Sequence, residues 1–465
     1  MNERIKLCFT HIFIVQIQSF IDRRRRLVIM TFKIYRRGPL LKRNLYKSRF
    51  LIYLLLFALS AIAVLAIVSP YRSTTINIKQ AGAHGDGIRD DSAVFIRVLH
   101  QAVGRRGPTR IIVPAGTYLL NVRAPLELSS KTRLIGEDKP VLKFSVLPSE
   151  AFGYEAIRIS GQDVLVDGID LDGSGRFIRG IGIHPGSADV TIANSVIRNM
   201  RQAADPQSPL YSAVVSGIMI YGDTEDIKVL TSLITDISAR HLQPVARGIM
   251  VWNGSGASPA RRVTISGNEI SHIAPREDAD GIFFDVPPNP AELSGSIIEN
   301  NRIHHAAKRG IKISAPGVVV QNNHITNPYS GNNHYLFDPD QPLSQDMYSA
   351  ISIYASHVTV SGNLIDGIGS YYAAIEADFE NLDRIVIENN RIDGEQTEQA
   401  EEMTTGIRLG ALNRSSVRGN IIRHAGTSIH VIGQHAEYDN HGLESMLTDN
   451  DAADNTNKTT PANPK

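Results

Sequence analysis

The sequence predicts an all-β chain wound as a single-stranded parallel β-helix of about ten coils, and three features of its 465 residues carry that expectation. First, a pentapeptide recurs: GIGIH (180–184), GIMIY (217–221), GIMVW (248–252), GIFFD (281–285), GIKIS (310–314), AISIY (350–354), AIEAD (374–378) and GIRLG (406–410). The spacings are 37, 31, 33, 29, 40, 24 and 32 residues, with AIRIS (156–160) before the series and SIHVI (428–432) after it. Second, each unit contains a run of period two interrupted by Asn or Gly-Asn, as in VTISGNEI, VVQNNHI and IVIENNRI. Such a run is a strand followed by a turn whose left-handed conformation Asn and Gly tolerate. Third, each unit is too short to bury its own apolar face, so the units must stack. Helical repeats of similar length are excluded by the period of two, the wealth of Val, Ile and Thr, and the frequent Gly and Asn.

Ahead of the repeats the charge is lopsided. Met1 to Arg49 carries 13 Lys and Arg against Glu3 and Asp22, a balance of +11, so the remainder is about −10 within a total of +1. Between the two regions lies FLIYLLLFALSAIAVLAIV, residues 50–68, without a charge. At about 1.5 Å per residue a helix of that length just spans a hydrocarbon core. It is too long and unbroken for a cleaved signal peptide. The reading is therefore a basic cytoplasmic tail (1–49), one transmembrane signal-anchor helix (50–68) and an outer domain. The excess of Lys and Arg before the span keeps the N-terminus in the cytoplasm and puts the rest in the periplasm or on the cell surface. Met30 is an alternative start that preserves a complete basic flank. The single cysteine, Cys8, lies in the tail, so no disulfide can staple the outer domain.

Residues 82–91 read GAHGDGIRDD. A phosphate loop would need glycines flanking Lys-Ser/Thr after a strand, and an EF-hand loop a closing bidentate Glu; neither is present. Asp90-Asp91-Ser92 instead precedes AVFIRVLHQAV, where Phe95, Leu99 and Ala102 or Val103 recur at helical spacing. The expectation is a helix N-capped by Asp91 or Ser92 that plugs the open end of the stack. GAHGDGIRDDSAVFIRVLHQA followed by IIVPAGTYLL resembles the N-terminal signature of the pectate-lyase-like superfamily, with its rhamnogalacturonase-like and epimerase-like members. That resemblance covers about residues 75–435 and implies a right-handed parallel β-helix with a capping helix; it is weak for the reaction, because such folds host lyases, hydrolases, epimerases and binding proteins.

The stack makes columns of residues that are distant in the chain. Asn194, Asn268, Asn301, Asn323, Asn363, Asn390 and Asn420, with Ser232 in the second unit, are expected to form one ladder of buried amides. In G-I-x-I-x the apolar residues point inward, so the third and fifth positions line an outer flank with about 4.8 Å between coils. The third-position column runs Arg158, Gly182, Met219, Met250, Phe283, Lys312, Ser352, Glu376, Arg408 and His430; the fifth includes His184, Tyr221, Trp252, Asp285, Tyr354 and Asp378. Tyr221, Trp252 and Phe283 form either a stacking platform for sugar rings or a satellite core under loops. Tyr354 and Arg408 extend the candidate substrate-binding row.

Asp280, Asp285, Arg309, Lys312, Glu376 and Asp378 are the candidate catalytic groups. Glu376 and Asp378, two apart on one strand, would set their carboxyls roughly 6–7 Å apart, a spacing that suits an inverting hydrolase. ADGIFFD resembles the segment of polygalacturonase-like hydrolases in which the Asp before Gly is catalytic, which implies that role for Asp280. RGIKIS resembles their Arg-Ile-Lys clamp, with Lys312 and Ser314 in place of Arg and Lys; the paired aspartates and the Gly-His-Gly of that family are absent. A lyase would use the same groove differently. Lys312 or Arg309 would take the proton beside a uronate carboxylate, the other cation would neutralise that carboxylate, and Asp280 or Asp285 would hold a bridging Ca²⁺.

The insertion NPYSGNNHYLFDPDQPLSQDMYS (327–349) makes its unit the longest and brings His334 over the groove beside Lys312. His272, His304 and His305 read as turn histidines. Residues 436–465, polar and poor in large apolar side chains, read as a disordered tail. The functional expectation is a membrane-anchored glycoside hydrolase or polysaccharide lyase, with a polysaccharide as partner and no nucleic acid. The alternative is a non-catalytic glycan-binding or envelope-scaffold β-helix.

Overall fold

Runs of alternating β-branched residues close into turns where residues such as Asn194, Asp226, Gly267 and Asn322 take positive φ, and the chain coils upon itself. The structure, a computed structural model, describes residues 73–146, 154–203, 205–239, 245–274, 278–328, 349–369, 371–379, 381–395 and 403–432, with the backbone of 447–448 and 457–460. The proposed span 50–68, the tail before it and His334 lie outside the described residues. Among those described, no helix is long and apolar enough to cross a membrane.

Three parallel sheets of 13, 12 and 12 strands form the walls. The first begins at Thr74–Asn77, the second at Asp86–Asp90 and the third at Leu126–Ser129. More coils appear than the ten expected, because those before residue 155 lack the G-I-x-I-x signature. Register is held by apolar columns. In the third sheet Ile157, Ile181, Ile218, Ile249, Ile282, Ile311, Ile351, Ile375, Ile407 and Ile429 stand over one another. All are 0–3% exposed, and each such side chain contributes about 1.5–3 kcal/mol by leaving water. A one-residue slip would turn the whole column outward, so the register is strongly specified.

Helix α1, Ser92–Ala102, packs Phe95, Val98, Leu99 and Ala102 onto the core, while Val103 stays exposed. Asp91 stands at the N-cap, but its side chain makes no cap bond. It turns back to accept from the amides of His84 and Gly85 at 2.7 and 3.0 Å. The glycine-aspartate stretch is thus a structural knot tied by a buried carboxylate.

The amide ladder corrects one expected member. Asn194 is exposed at φ +50 and donates to Asp167. It occupies the left-handed turn position that Gly267 takes at φ +67 in a later coil, and Ser195 fills the column. The ladder therefore runs Ser195, Ser232, Asn268, Asn301, Asn323, Asn363, Asn390, Asn420. From Asn268 to Asn390, each side-chain NH₂ donates to a backbone carbonyl and to the next Asn Oδ1 at 2.9–3.1 Å.

At the far end, Leu447–Thr448 and Asn457–Thr460 pair in parallel with Val417–Arg418 and with the strand Ala425–Val431. Part of the expected tail is therefore strand. The last coil presents a row of unpaired backbone groups, which a following segment can satisfy without any apolar pattern of its own.

Candidate functional site

Strict alternation would point the residue before each G-I-x-I-x inward. It does not hold there. A Cβ on Gly248, Gly281 or Gly310 would meet Cγ2 of Ile270, Ile303 or Ile325 at 2.7–2.8 Å, so each of these glycines faces the core beside the isoleucine that follows it. Two consecutive residues point inward, and the preceding one is thrown onto the outer flank. In register, that extra column reads Glu155, Arg179, Ser216, Arg247, Asp280, Arg309, Ser349.

Its centre alternates in charge. Asp280, 0% exposed, lies between Arg247 Nη1 at 3.3 Å and Arg309 Nη1 at 3.4 Å. Arg247 is only 2% exposed and stacks over the Phe283 ring at 4.8 Å. Asp278, whose side chain is 42% exposed, closes the group from outside: its carboxylate lies 3.7 Å from Arg247, 3.2 Å from Arg309 and 3.6 Å from Lys312 Nζ. Lys312 rests over the rings of Phe283 at 4.8 Å and Tyr354 at 5.8 Å. The Tyr354 hydroxyl donates to Glu376 Oε1 at 2.7 Å and accepts from Arg309 Nη2 at 3.5 Å.

These contacts set the acid–base character. Burial pushes the Arg247 guanidinium below its ordinary value. Burial also acts against charge on Asp278, but Arg247, Lys312 and Arg309 outweigh it and hold the carboxyl below its usual range. Tyr354 is pushed well up, by burial first and by the Glu376 charge second, so it keeps its proton.

A second cluster of the same three residue types lies toward the N-terminal end. Tyr221 donates to Glu155 Oε1 at 2.6 Å and accepts from Arg179 Nη1 at 2.7 Å. Arg158 and His184 approach the same carboxylate at 3.2 and 3.4 Å. A side chain on Gly182 would collide with Glu155 Cγ, so a glycine in the third-position column is what admits this carboxylate.

Between the clusters, Met219, Tyr221, Met250 and Phe283 form a separate buried apolar group, with Trp252 half-buried against it. Among the described residues an exposed aromatic ridge is not found. Tyr221 reaches across two coils to Glu155, Phe283 is covered by Arg247 and Lys312, and only Trp252 of the three presents substantial surface.

Two family descriptions match this chain. "Right handed beta helix region" covers residues 247–442, and "Rhamnogalacturonase A/epimerase, pectate lyase-like" covers 75–335, more than half of the sequence. The chain belongs to the rhamnogalacturonase A/epimerase, pectate lyase-like family. A solved structure shares the fold. The surface adhesin PfbA of Streptococcus pneumoniae aligns at 15% identity and TM-score 0.56, over 84% of this chain and 93% of that one. The mannuronan C-5 epimerase AlgE4 A-module of Azotobacter vinelandii aligns at 14% and 0.42 over 83% and 98%, and an exopolygalacturonase of Thermotoga maritima at 14% and 0.44 over 79% and 90%. No curated protein matches.

Within this pectate lyase-like member, Asp280, Arg309, Lys312, Tyr354 and Glu376 come together. Asp378 does not join Glu376 as a pair: it accepts from Arg408 Nε at 2.9 Å, and Arg408 lies against His430. Asp285 is half-buried one coil before Ser314, its carbonyl accepting from Asn253. A Ca²⁺ ion does not fit at Asp280, whose carboxylate is enclosed by two guanidinium groups. Among the described residues no three His, Cys, Asp or Glu side chains converge as metal ligands. Sequence reasoning missed Arg247, Asp278, Glu155 and Arg179. For Arg247, Glu155 and Arg179 the signal was the charged residue ahead of the repeat, as in R-GIGIH, R-GIMVW and E-AIRIS; Asp278, two residues before Asp280, carried no such signal.

Proposed function

We propose that the chain is a polysaccharide-modifying enzyme that acts on an acidic glycan along this flank by a lyase-type elimination, with residues 50–68 as its membrane anchor and the β-helix outside the cytoplasm. Family membership supports the carbohydrate substrate class. The observation that carries the reaction is the Tyr354–Glu376 hydrogen bond set against Arg309, one coil from Lys312. Arg309 and Lys312 would pair with the carboxylate of a uronate unit and stabilise the enolate-like charge that grows there. Tyr354 would take the proton from the carbon beside that carboxylate while passing its own along the 2.7 Å bond to Glu376. The electron pair released from the C–H bond forms the new double bond and the glycosidic oxygen leaves, taking its proton from solvent. Trp252 would stack a neighbouring sugar ring.

Hydrolysis is less well served. It requires a protonated carboxylic acid facing a second carboxyl group across the sugar. Asp280, Glu376 and Asp378 each lie within 4.0 Å of an arginine. The test incubates the purified protein with polygalacturonate, alginate and a neutral glucan, with and without chelator. Ultraviolet-absorbing unsaturated ends, lost in Tyr354→Phe, support elimination. New reducing ends without them make it a hydrolase, and binding without product makes it a glycan-binding β-helix.

A further inference from the structure

Three cations converge from two coils, Arg247 on one and Arg309 and Lys312 together on another, with the Asp280 coil between them, and the carboxylates around them differ in kind. Asp280 and Glu376 are buried and belong to the body of the fold. Together they match two of the three positive charges. Asp278 matches the third and is the exposed one. Among the described residues it is the carboxylate within ion-pair reach of Lys312.

Its grip is loose. Its three ion-pair distances, 3.2, 3.6 and 3.7 Å, are all longer than the 2.7–2.9 Å usual for charge-assisted bonds. The same flank does form such bonds, for example Arg408 to Asp378 at 2.9 Å. The pocket beneath favours negative charge, as the depressed Asp278 carboxyl records. The Asp278 carboxylate thus sits half in water, over two buried arginines and a lysine that lie against the rings of Phe283 and Tyr354.

We propose that Arg247, Arg309 and Lys312 form a seat for one oxyanion, that Asp278 is its built-in occupant, and that the acidic group of a ligand binds by displacing the Asp278 carboxylate. The ligand chemistry is a carboxylate or a sulfate ester on a sugar; its identification as the substrate's own acidic group rests on the function proposed above. In the resting protein the seat is filled by −1 and the cluster is neutral. Entry of a ligand anion exchanges one negative charge for another, so the protein holds three cations together without leaving an unmatched buried charge between turnovers. Neutral sugars would not displace Asp278, and discrimination follows from the exchange itself.

Asp278→Asn keeps the shape and removes the occupant's charge. Binding to the full-length protein is measured by calorimetry with inorganic sulfate, trigalacturonate and its neutral methyl ester, and by melting in sodium sulfate against sodium chloride at equal ionic strength. The expected result is at least tenfold tighter sulfate binding in Asp278→Asn than in wild type. Asp278→Glu should show no gain, and Asp278→Asn with Lys312→Ala should lose it. Should Asp278→Asn be poorly folded, sulfate but not chloride should raise its melting temperature. Equal sulfate affinity in wild type and Asp278→Asn, or no binding in either, overturns the seat. A gain for sulfate without one for trigalacturonate keeps the seat and removes the uronate reading.

Discussion

Asp280→Asn separates a structural carboxylate from a catalytic one. The buried pair it breaks leaves Arg247, 2% exposed, with the outer Asp278 at 3.7 Å as its ion-pair partner among the described residues, and weakens the hold on Arg309. Removing one partner of a buried ion pair costs about 3–5 kcal/mol. For a cooperative unit the size of Arg72–Lys465, unfolding entropy of about 2.1 cal/mol/K per residue converts this to a melting temperature roughly 4–6 °C lower. Scanning calorimetry measures the shift. Arg247→Met combined with Asp280→Asn should cost less than the sum of the single changes, by about 1–3 kcal/mol, because the double variant leaves no buried cation unmatched. Turnover below the melting range should fall about 10–100-fold, the size expected when an orienting partner is lost. An Asp280→Asn protein that melts like wild type, is additive with Arg247→Met and has no activity would refute this reasoning and make Asp280 the reacting acid.

Three further outcomes follow from the same geometry. Asn323→Ala removes an amide that accepts from Asn301 and donates to Ile298 O and Asn363; it should cost about 3–5 kcal/mol in denaturant unfolding, since each buried orphan costs about 1–3 kcal/mol, whereas Asn194→Ala, outside the ladder, should cost far less. His305 is held down to about 4 by burial and by His272 and His304, so the unfolded chain binds the extra proton first. Stability should therefore fall as pH drops from the ordinary histidine value near 6.5 toward about 4, and His305→Gln should flatten that part of the acid-stability profile. Glu155 is depressed despite burial, because His184, Tyr221 and Arg179 hold its charge; its contribution is present above the ordinary carboxylate range and lost on acidification below it, and Glu155→Gln should weaken the acid transition while destabilising the protein at neutral pH.

Most of the fold was legible because it is periodic. Ile311 stands between Ile282 and Ile351 as the spacing requires, and the third-position column from Arg158 to His430 is found in register. The misreadings occurred where the period breaks. Asn194 and Ser195 are adjacent, and composition alone favoured the amide; what decides is which of the two takes positive φ. Arg247 was invisible because alternation assigned its position to the core, and it lies on the flank because Gly248, having no Cβ, faces the core against Ile270. The strands beyond residue 446 carry no apolar pattern, since pairing at an open end needs only backbone groups.

The same break explains why chemistry gathers on this flank. The outward residue before glycine and the fifth position bracket each strand, and coils are about 4.8 Å apart, so a long side chain at either place reaches the next coil while a short one cannot. Tyrosine at the fifth position and arginine before glycine meet a carboxylate twice, as Tyr221, Arg179 and Glu155 and as Tyr354, Arg309 and Glu376. In the first cluster the glutamate comes from a coil before the tyrosine, and in the second from the coil after it. The asparagine ladder borders a different sheet, fully satisfied within itself. Substitutions on the flank can therefore change charge and proton-transfer partners without disturbing what sets register, and the flank where the alternation fails is the one where a reaction can be built.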